Sequence, residues 1–273
     1  MDNTDINSAW AATSAILSEF DFAEIKIIAK LAGFNLEVLN NLGIDGNNWN
    51  RPSRHLLIED IESKFVHFSD DEKQRFLNIV IEEILERSYK LNVNYDPEEK
   101  VQYYLNRLGW QLIDKKVLPI EVLDISDLNE LDPAARHDLI KASEKFRDGD
   151  FSGAISSACA AVDSVTARVY REKNLGDEKS TSFQERCNKS LNAMGVLDAI
   201  DRQLGEIQWK ESTVIQFKDN LKKSVGQAAY VMQTLRSDMS DVHGTKPVIK
   251  PLAFDSIKWA QIIVRLLSGR YDY

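Results

Sequence analysis

Cysteine is nearly missing from the chain. Cys159 and Cys187 are the only two in 273 residues, and without metal-ligand spacing they make both a disulfide framework and a structural zinc site improbable. Cys159 lies in an Ala- and Ser-rich apolar stretch, where a buried free thiol is expected. Apolar runs are short as well. None approaches the ~18 residues needed to cross a bilayer, and the opening Met1-Asp2-Asn3-Thr4-Asp5 has neither the basic nor the apolar part of a secretory leader. A soluble cytoplasmic protein is expected. Gly-rich phosphate loops, HExxH, paired-carboxylate and Gly-x-Ser-x-Gly patterns are all lacking, so no metal and no cofactor is expected. There is no internal repeat, low-complexity tract or heptad series.

What remains is ordinary globular composition, 43% hydrophobic and 28% charged, enough for two modest domains or one large one. The net charge of −9 argues against a protein that coats nucleic acid through bulk electrostatics. That charge is unevenly divided. Residues 1–129 hold 13 Lys and Arg against 23 Asp and Glu, while residues 130–273 hold 21 against 20, giving −10 and +1.

The hydrophobic pattern is helical almost throughout, and the expected fold class is all-α. Ile25, Ile28, Ala29 and Ala32 follow helical spacing, as do Leu57, Ile61 and Phe65, and then Phe76, Ile79, Val80 and Ile84 with Leu77, Ile81 and Leu85 widening the stripe. Ser69 to Glu72 and Asp96 to Glu99 have capping-box form, with Pro97 at a first helical position. Gly33, Gly43, Gly46 and Pro52 cut the first hundred residues into short pieces. A small acidic helical domain over residues 1–95 is expected, followed over 96–131 by a helix and an extended linker. Val117 to Leu123 is assigned to that linker, not to a strand, because no second β-like run stands ready to pair with it. From 132 to 273 a second helical block is expected. Asp132-Pro133 opens one helix to about Arg147, Asp148-Gly149-Asp150 makes a turn, and Phe151 to about Lys173 forms the next. In that helix Gly153, Ala154, Ala158, Ala160 and Ala161 permit close approach. Thr181 and Gln184 cap a third helix, a fourth runs from about Glu211 to His243 before Gly244 and Pro247, and a fifth covers about Phe254 to Ser268.

The fourth of these helices carries the one spacing that suggests chemistry. Seven residues are about two helical turns, so Arg236 and His243 fall on one face, roughly 10 Å apart along the axis. A guanidinium holds phosphate oxygens in a fork, and an imidazole moves protons near neutral pH. Cleavage of RNA by its own 2′-hydroxyl needs both groups: His243 as base or acid and Arg236 as electrostatic clamp. Ser240 falls between the pair. Asp238 is placed to position Arg236 or to meet a partner subunit's cation. Asp241 and the helix end favour imidazolium at His243, and the nearby arginine opposes it. Each group also has a plainer reading. A histidine before a glycine at a helix end can serve as a cap, and an arginine can be simply solvated or salt-bridged. Lys218, Lys222 and Lys223 form either a solvated face or a track for an RNA backbone toward Arg236. His55, His67 and His137 stand outside any constellation. Trp10, Trp49, Trp110, Trp209 and Trp259 are expected in the core or an interface rather than in a base-stacking platform.

The sequence Lys141-Ala142, Arg147-Asp148-Gly149-Asp150-Phe151, Gly153-Ala154-Ile155, then Leu235-Arg236-Ser237-Asp238 and Asp241-Val242-His243-Gly244, resembles the HEPN superfamily. The likeness is greatest to the C-terminal domain of abortive-infection proteins and covers about residues 130–270. HEPN active sites carry an arginine, a polar residue after it, and a histidine four to six residues further on. Arg236, Ser237 and His243 match that pattern at its long end. The resemblance implies a metal-independent endoribonuclease that dimerises with its Arg/His pairs facing each other and cuts cellular RNA in phage defence or toxin systems. It equally admits a HEPN bundle that has lost catalysis and serves dimerisation, RNA binding or partner binding. Residues 20–90, from Phe20 through Leu31 onward, resemble small death-like or effector-associated helical modules that join defence proteins to a regulatory partner.

The charge division generates a first prediction. At ~0.15 M salt repulsion acts within about 8 Å, so an acidic region docked near the site would hold RNA away. Removing residues 1–129 then raises RNA cleavage, and the increase shrinks with added salt. A folded 130–273 fragment that cleaves at the rate of the full chain in low salt would leave the acidic charge a role in solubility alone.

Overall fold

A computed structural model describes residues 3–34, 54–123, 128, 131–239 and 247–268. Over these residues the chain is mostly helical, with eleven α-helices and one two-stranded hairpin. None of the described helices is long and apolar enough to cross a membrane. The chain divides into two units, residues 1–119 and 120–273.

The first unit comprises α1 (Asn3–Leu17), α2 (Phe22–Leu31), α3 (Arg54–Phe65), α4 (Asp70–Glu86), α5 (Pro97–Arg107) and the hairpin β1 (Trp110–Ile113) with β2 (Lys116–Pro119). The helical spacings noted above become its core: Ile25, Ile28, Leu57, Ile61, Phe65, Phe76, Leu77, Val80, Ile81 and Ile84 are all buried, and Leu105 joins them. Ser69 and Glu72 form the capping box that starts α4, and Asp96 caps α5 with Pro97 in its first turn. Trp10 of α1 stacks on Phe65 at 5.0 Å and lies 5.6 Å from Phe76, which joins α1, α3 and α4 through an aromatic cluster.

The hairpin corrects the expected linker. Val117 and Leu118 are buried in β2, which pairs antiparallel with β1 so that Leu112 faces Val117. The missing partner strand was Trp110–Ile113. Asp114 and Lys115 both have positive φ, 51° and 66°, the conformation a two-residue turn requires between twisted strands. Asp114-Lys115 lacks the Asn-Gly or Asp-Gly signature, and so the turn is silent in the sequence. Glu82 of α4 accepts a hydrogen bond from the Val117 amide at 2.9 Å, and Gln102 of α5 accepts one from the Leu112 amide at 2.9 Å. The hairpin is thereby fixed to its own unit.

That boundary also changes the charge division. Glu121, Asp124 and Asp127 belong with the second unit, so residues 1–119 hold 13 cations against 20 anions and residues 120–273 hold 21 against 23, giving −7 and −2. Most of the excess negative charge still lies in the first unit, but the second is not cationic.

The second unit contains α6 (Pro133–Arg147), α7 (Phe151–Lys173), α8 (Phe183–Ala193), α9 (Val196–Glu206), α10 (Glu211–Met239) and α11 (Lys250–Leu267). Asp132 caps α6 by accepting from the amides of Ala134 and Ala135. Gly149, at φ 82°, turns the chain, and the Asp150 carboxylate caps α7 by accepting from the Gly153 amide at 2.8 Å. A Cβ at Gly153 would strike that carboxylate and the end of the Lys145 side chain of α6, so this glycine serves the cap. α7 packs against α6, α11, α8 and α10, and Ala154, Ala158 and Ala161 are buried among them. The close approach that these small residues permit is therefore used between helices of the same unit. Arg168 of α7 pairs with Asp132 at 3.2 Å and donates to the Leu267 carbonyl at 2.9 Å, tying the start of α6 to the end of α11.

Two local expectations are corrected, and Trp209 takes a place on the surface. The cap of α8 is Ser182, which accepts from the Glu185 amide at 3.2 Å, whereas Thr181 one residue earlier faces Tyr170. A separate helix, α9, follows Gly195 at φ 66°. Trp209 is 44% exposed and meets Phe217 edge to face at 6.0 Å, which places it outside the core. Trp49 lies outside the described residues.

Replacing Phe65 with Ala removes the centre of the aromatic cluster and is expected to cost about 3–5 kcal/mol. The check is a lower urea midpoint for the full chain.

Candidate functional site

The site begins with the way α7 and α10 pack. Ser152 donates to the Met239 carbonyl at 2.9 Å and the Cys159 thiol lies 3.6 Å from the Met232 carbonyl. Moving up α7 from 152 to 159 moves down α10 from 239 to 232, so the helices run antiparallel. Side chains tilt toward the N-terminus of their own helix. Arg236, one turn beyond Met232, and Asp163, one turn beyond Cys159, consequently lean toward each other. They meet with Arg236 Nη1 donating to Asp163 Oδ2 at 2.6 Å.

The other carboxylate oxygen is also engaged. Arg186 of α8 donates from Nη2 to Asp163 Oδ1 at 2.5 Å. One carboxylate thus bridges two guanidinium groups from two helices while standing on a third, leaving one unit of positive charge over the three side chains. Their side chains are 39% (Arg236), 27% (Asp163) and 17% (Arg186) exposed. Partial exposure puts the worth of each pair nearer ~1 kcal/mol than the ~3–5 kcal/mol lost when a fully buried pair is broken. Burial works against the charge on Arg236, while the Asp163 hydrogen bond and attraction outweigh it, so the pKa stays above the ordinary arginine value. The remaining N–H groups of Arg236 have no partner among the described residues.

Asp163 and Arg186 are absent from the sequence-based site. Asp163 did leave a signal, an acid flanked at helical spacing by residues that are buried, Cys159 and Thr166. Its partners lie 23 and 73 residues away, a separation no local pattern encodes. Asp238, expected to position Arg236, is exposed and without a partner among the described residues, and Asp163 takes that role. Ser237 donates to the Gln233 carbonyl of its own helix at 2.9 Å. Ser240, Asp241 and His243 lie outside the described residues.

Lys218 is held by Asp201 at 2.6 Å, whose hydrogen bond raises the lysine pKa, and stands 3.7 Å from Asp198. It is engaged in joining α10 to α9. Lys222 and Lys223 are exposed, and His55, His67 and His137 are on the surface. No three His, Cys, Asp or Glu side chains converge as metal ligands among the described residues. No family model, curated protein or solved structure matches the chain.

Both cysteines adjoin this cluster and both are buried. Burial pushes each thiol up to about 12, against the opposing pull of Arg236 on Cys159 and of Arg186 on Cys187. A raised folded-state pKa means stability is complete below the unfolded value near 9 and is lost as pH climbs toward 12. The full chain should lose stability more steeply between pH 9 and 12 than a variant with both cysteines changed to Ala. Parallel curves for the two proteins would contradict this, as would rapid alkylation of the native thiols at pH 8.

Proposed function

We propose that the second unit is a HEPN-type endoribonuclease that cuts RNA through attack of the 2′-hydroxyl. The observation that carries this reading is Arg236. It is kept charged and fixed by Asp163, yet it remains partly exposed, with N–H groups that no other described residue engages, near the end of α10 and seven residues before His243. Arg236 then binds the non-bridging oxygens of the scissile phosphate, where negative charge grows as the 2′-oxygen attacks. His243 takes the 2′-hydroxyl proton or protonates the departing 5′-oxygen. The bond between phosphorus and the 5′-oxygen breaks as the bond to the 2′-oxygen forms, leaving a 2′,3′-cyclic phosphate and a 5′-hydroxyl. Arrangement as a homodimer brings a second Arg/His pair to the phosphate, and abortive infection is the biological setting that the sequence resemblance suggests.

A second reading has its own observation. The Arg236, Asp163 and Arg186 bridge joins three helices and serves packing without any substrate, as in a non-catalytic module that dimerises or binds a partner. Incubating the purified full chain with total RNA in EDTA separates the two. Nuclease action yields fragments with 5′-hydroxyl ends, reduced about 100-fold or more by Arg236→Ala or His243→Ala in folded protein. Dependence on added Mg²⁺ with 5′-phosphate ends, or unchanged cleavage by both variants, would refute the nuclease reading.

A further inference from the structure

The guanidinium of Arg186 carries a defect. Its Nε–H and one Nη2–H point the same way and make a side fork that matches the two oxygens of a carboxylate. Asp163 fills only half of that fork. Its Oδ1 takes Nη2, whereas its Oδ2 is drawn off by Arg236 Nη1. Arg186 Nε is left buried with no hydrogen-bond partner among the described residues. An unmet buried donor is costly, and the cost disappears if both carboxylate oxygens return to Arg186.

We infer that Asp163 is an exchangeable ligand of Arg236, handed over to the side fork of Arg186 when a phosphodiester takes its place. This deepens the nuclease reading and rests on it for the identity of the anion as RNA phosphate. In the free protein Asp163 holds Arg236 charged and oriented. When phosphate oxygens reach the exposed side of Arg236, they compete with a single charge-assisted bond, and the carboxylate that lets go gains a second bond to Arg186. No net charge is stranded, because Asp163 keeps a cation in either state and Arg236 exchanges one anion for another. Arg186 is thus a positioning residue that acts through Asp163. A lysine there would keep the charge but offer no fork.

The test uses the full chain and a single-stranded 2′-deoxyoligonucleotide, which presents phosphodiesters but has no 2′-hydroxyl to react. Arg186→Lys should weaken binding about tenfold while thermal unfolding shows the protein folded. In the Asp163→Asn background, where no carboxylate can be exchanged, Arg186→Lys should have little further effect. The Arg186 Nε–H resonance of the wild-type chain should move downfield as the oligonucleotide saturates, reporting the completed fork. Equal affinity of wild type and Arg186→Lys would overturn the inference, as would full additivity of the two substitutions, an unmoved Nε–H signal, or no binding by the wild type. Binding with the expected cycle but no cleavage of RNA would sink the nuclease reading alone and leave the exchange standing.

Discussion

The second unit depends on how α7 is enclosed. Four helices cover it, and its small residues let them approach, but within residues 151–167 one position, Asp163, carries a charge. Asp163, 27% exposed, loses part of its hydration among the packed helices, and cations offset that loss. Two arginines come, from α8 and α10. One carboxylate thus ties α8 and α10 to α7, and through Ser152 and Met239 the end of α10 is held at the start of α7.

The same bridge places opposing demands on Arg236. A guanidinium used only as a staple would be best matched by a carboxylate that took both of its paired N–H groups. One used only as a clamp would be best left free. The observed bond at 2.6 Å, with no other partner for the remaining donors among the described residues, lies between these limits. Because the side chain is more than a third exposed, the bond is worth about 1 kcal/mol or less, and a phosphodiester, whose single negative charge is shared by two non-bridging oxygens, can compete for it.

Legibility in the sequence follows the range over which each feature is determined. α4 could be placed from Ser69, Glu72 and the apolar stripe, and the α6 and α7 pair from Asp132-Pro133 and Gly149, because caps and turns are settled within four residues. The hairpin was hidden because Asp114-Lys115 adopts positive φ without glycine, held there by pairing and by Glu82, 35 residues from Val117. Thr181 and Ser182 are equal candidates for a cap on chemistry alone, and the contact of Thr181 with Tyr170 decides between them. Arg236 was visible by its type and its place on the helix. Asp163 and Arg186 were not, since what makes them part of the site is tertiary.

Charge at the site is governed locally. At physiological ionic strength fields decay over about 8 Å, so the −2 of residues 120–273 as a whole matters less to an approaching phosphate than the three side chains it meets. Lys218 adds little there because Asp201 already holds it. Lys222 and Lys223 are exposed along α10 but stand more than three turns from Arg236, roughly 20 Å along the axis, beyond the screening length. The direction of the Arg236 donors is set by Asp163, so under the proposed nuclease function any discrimination between phosphate and other anions would fall on that pair.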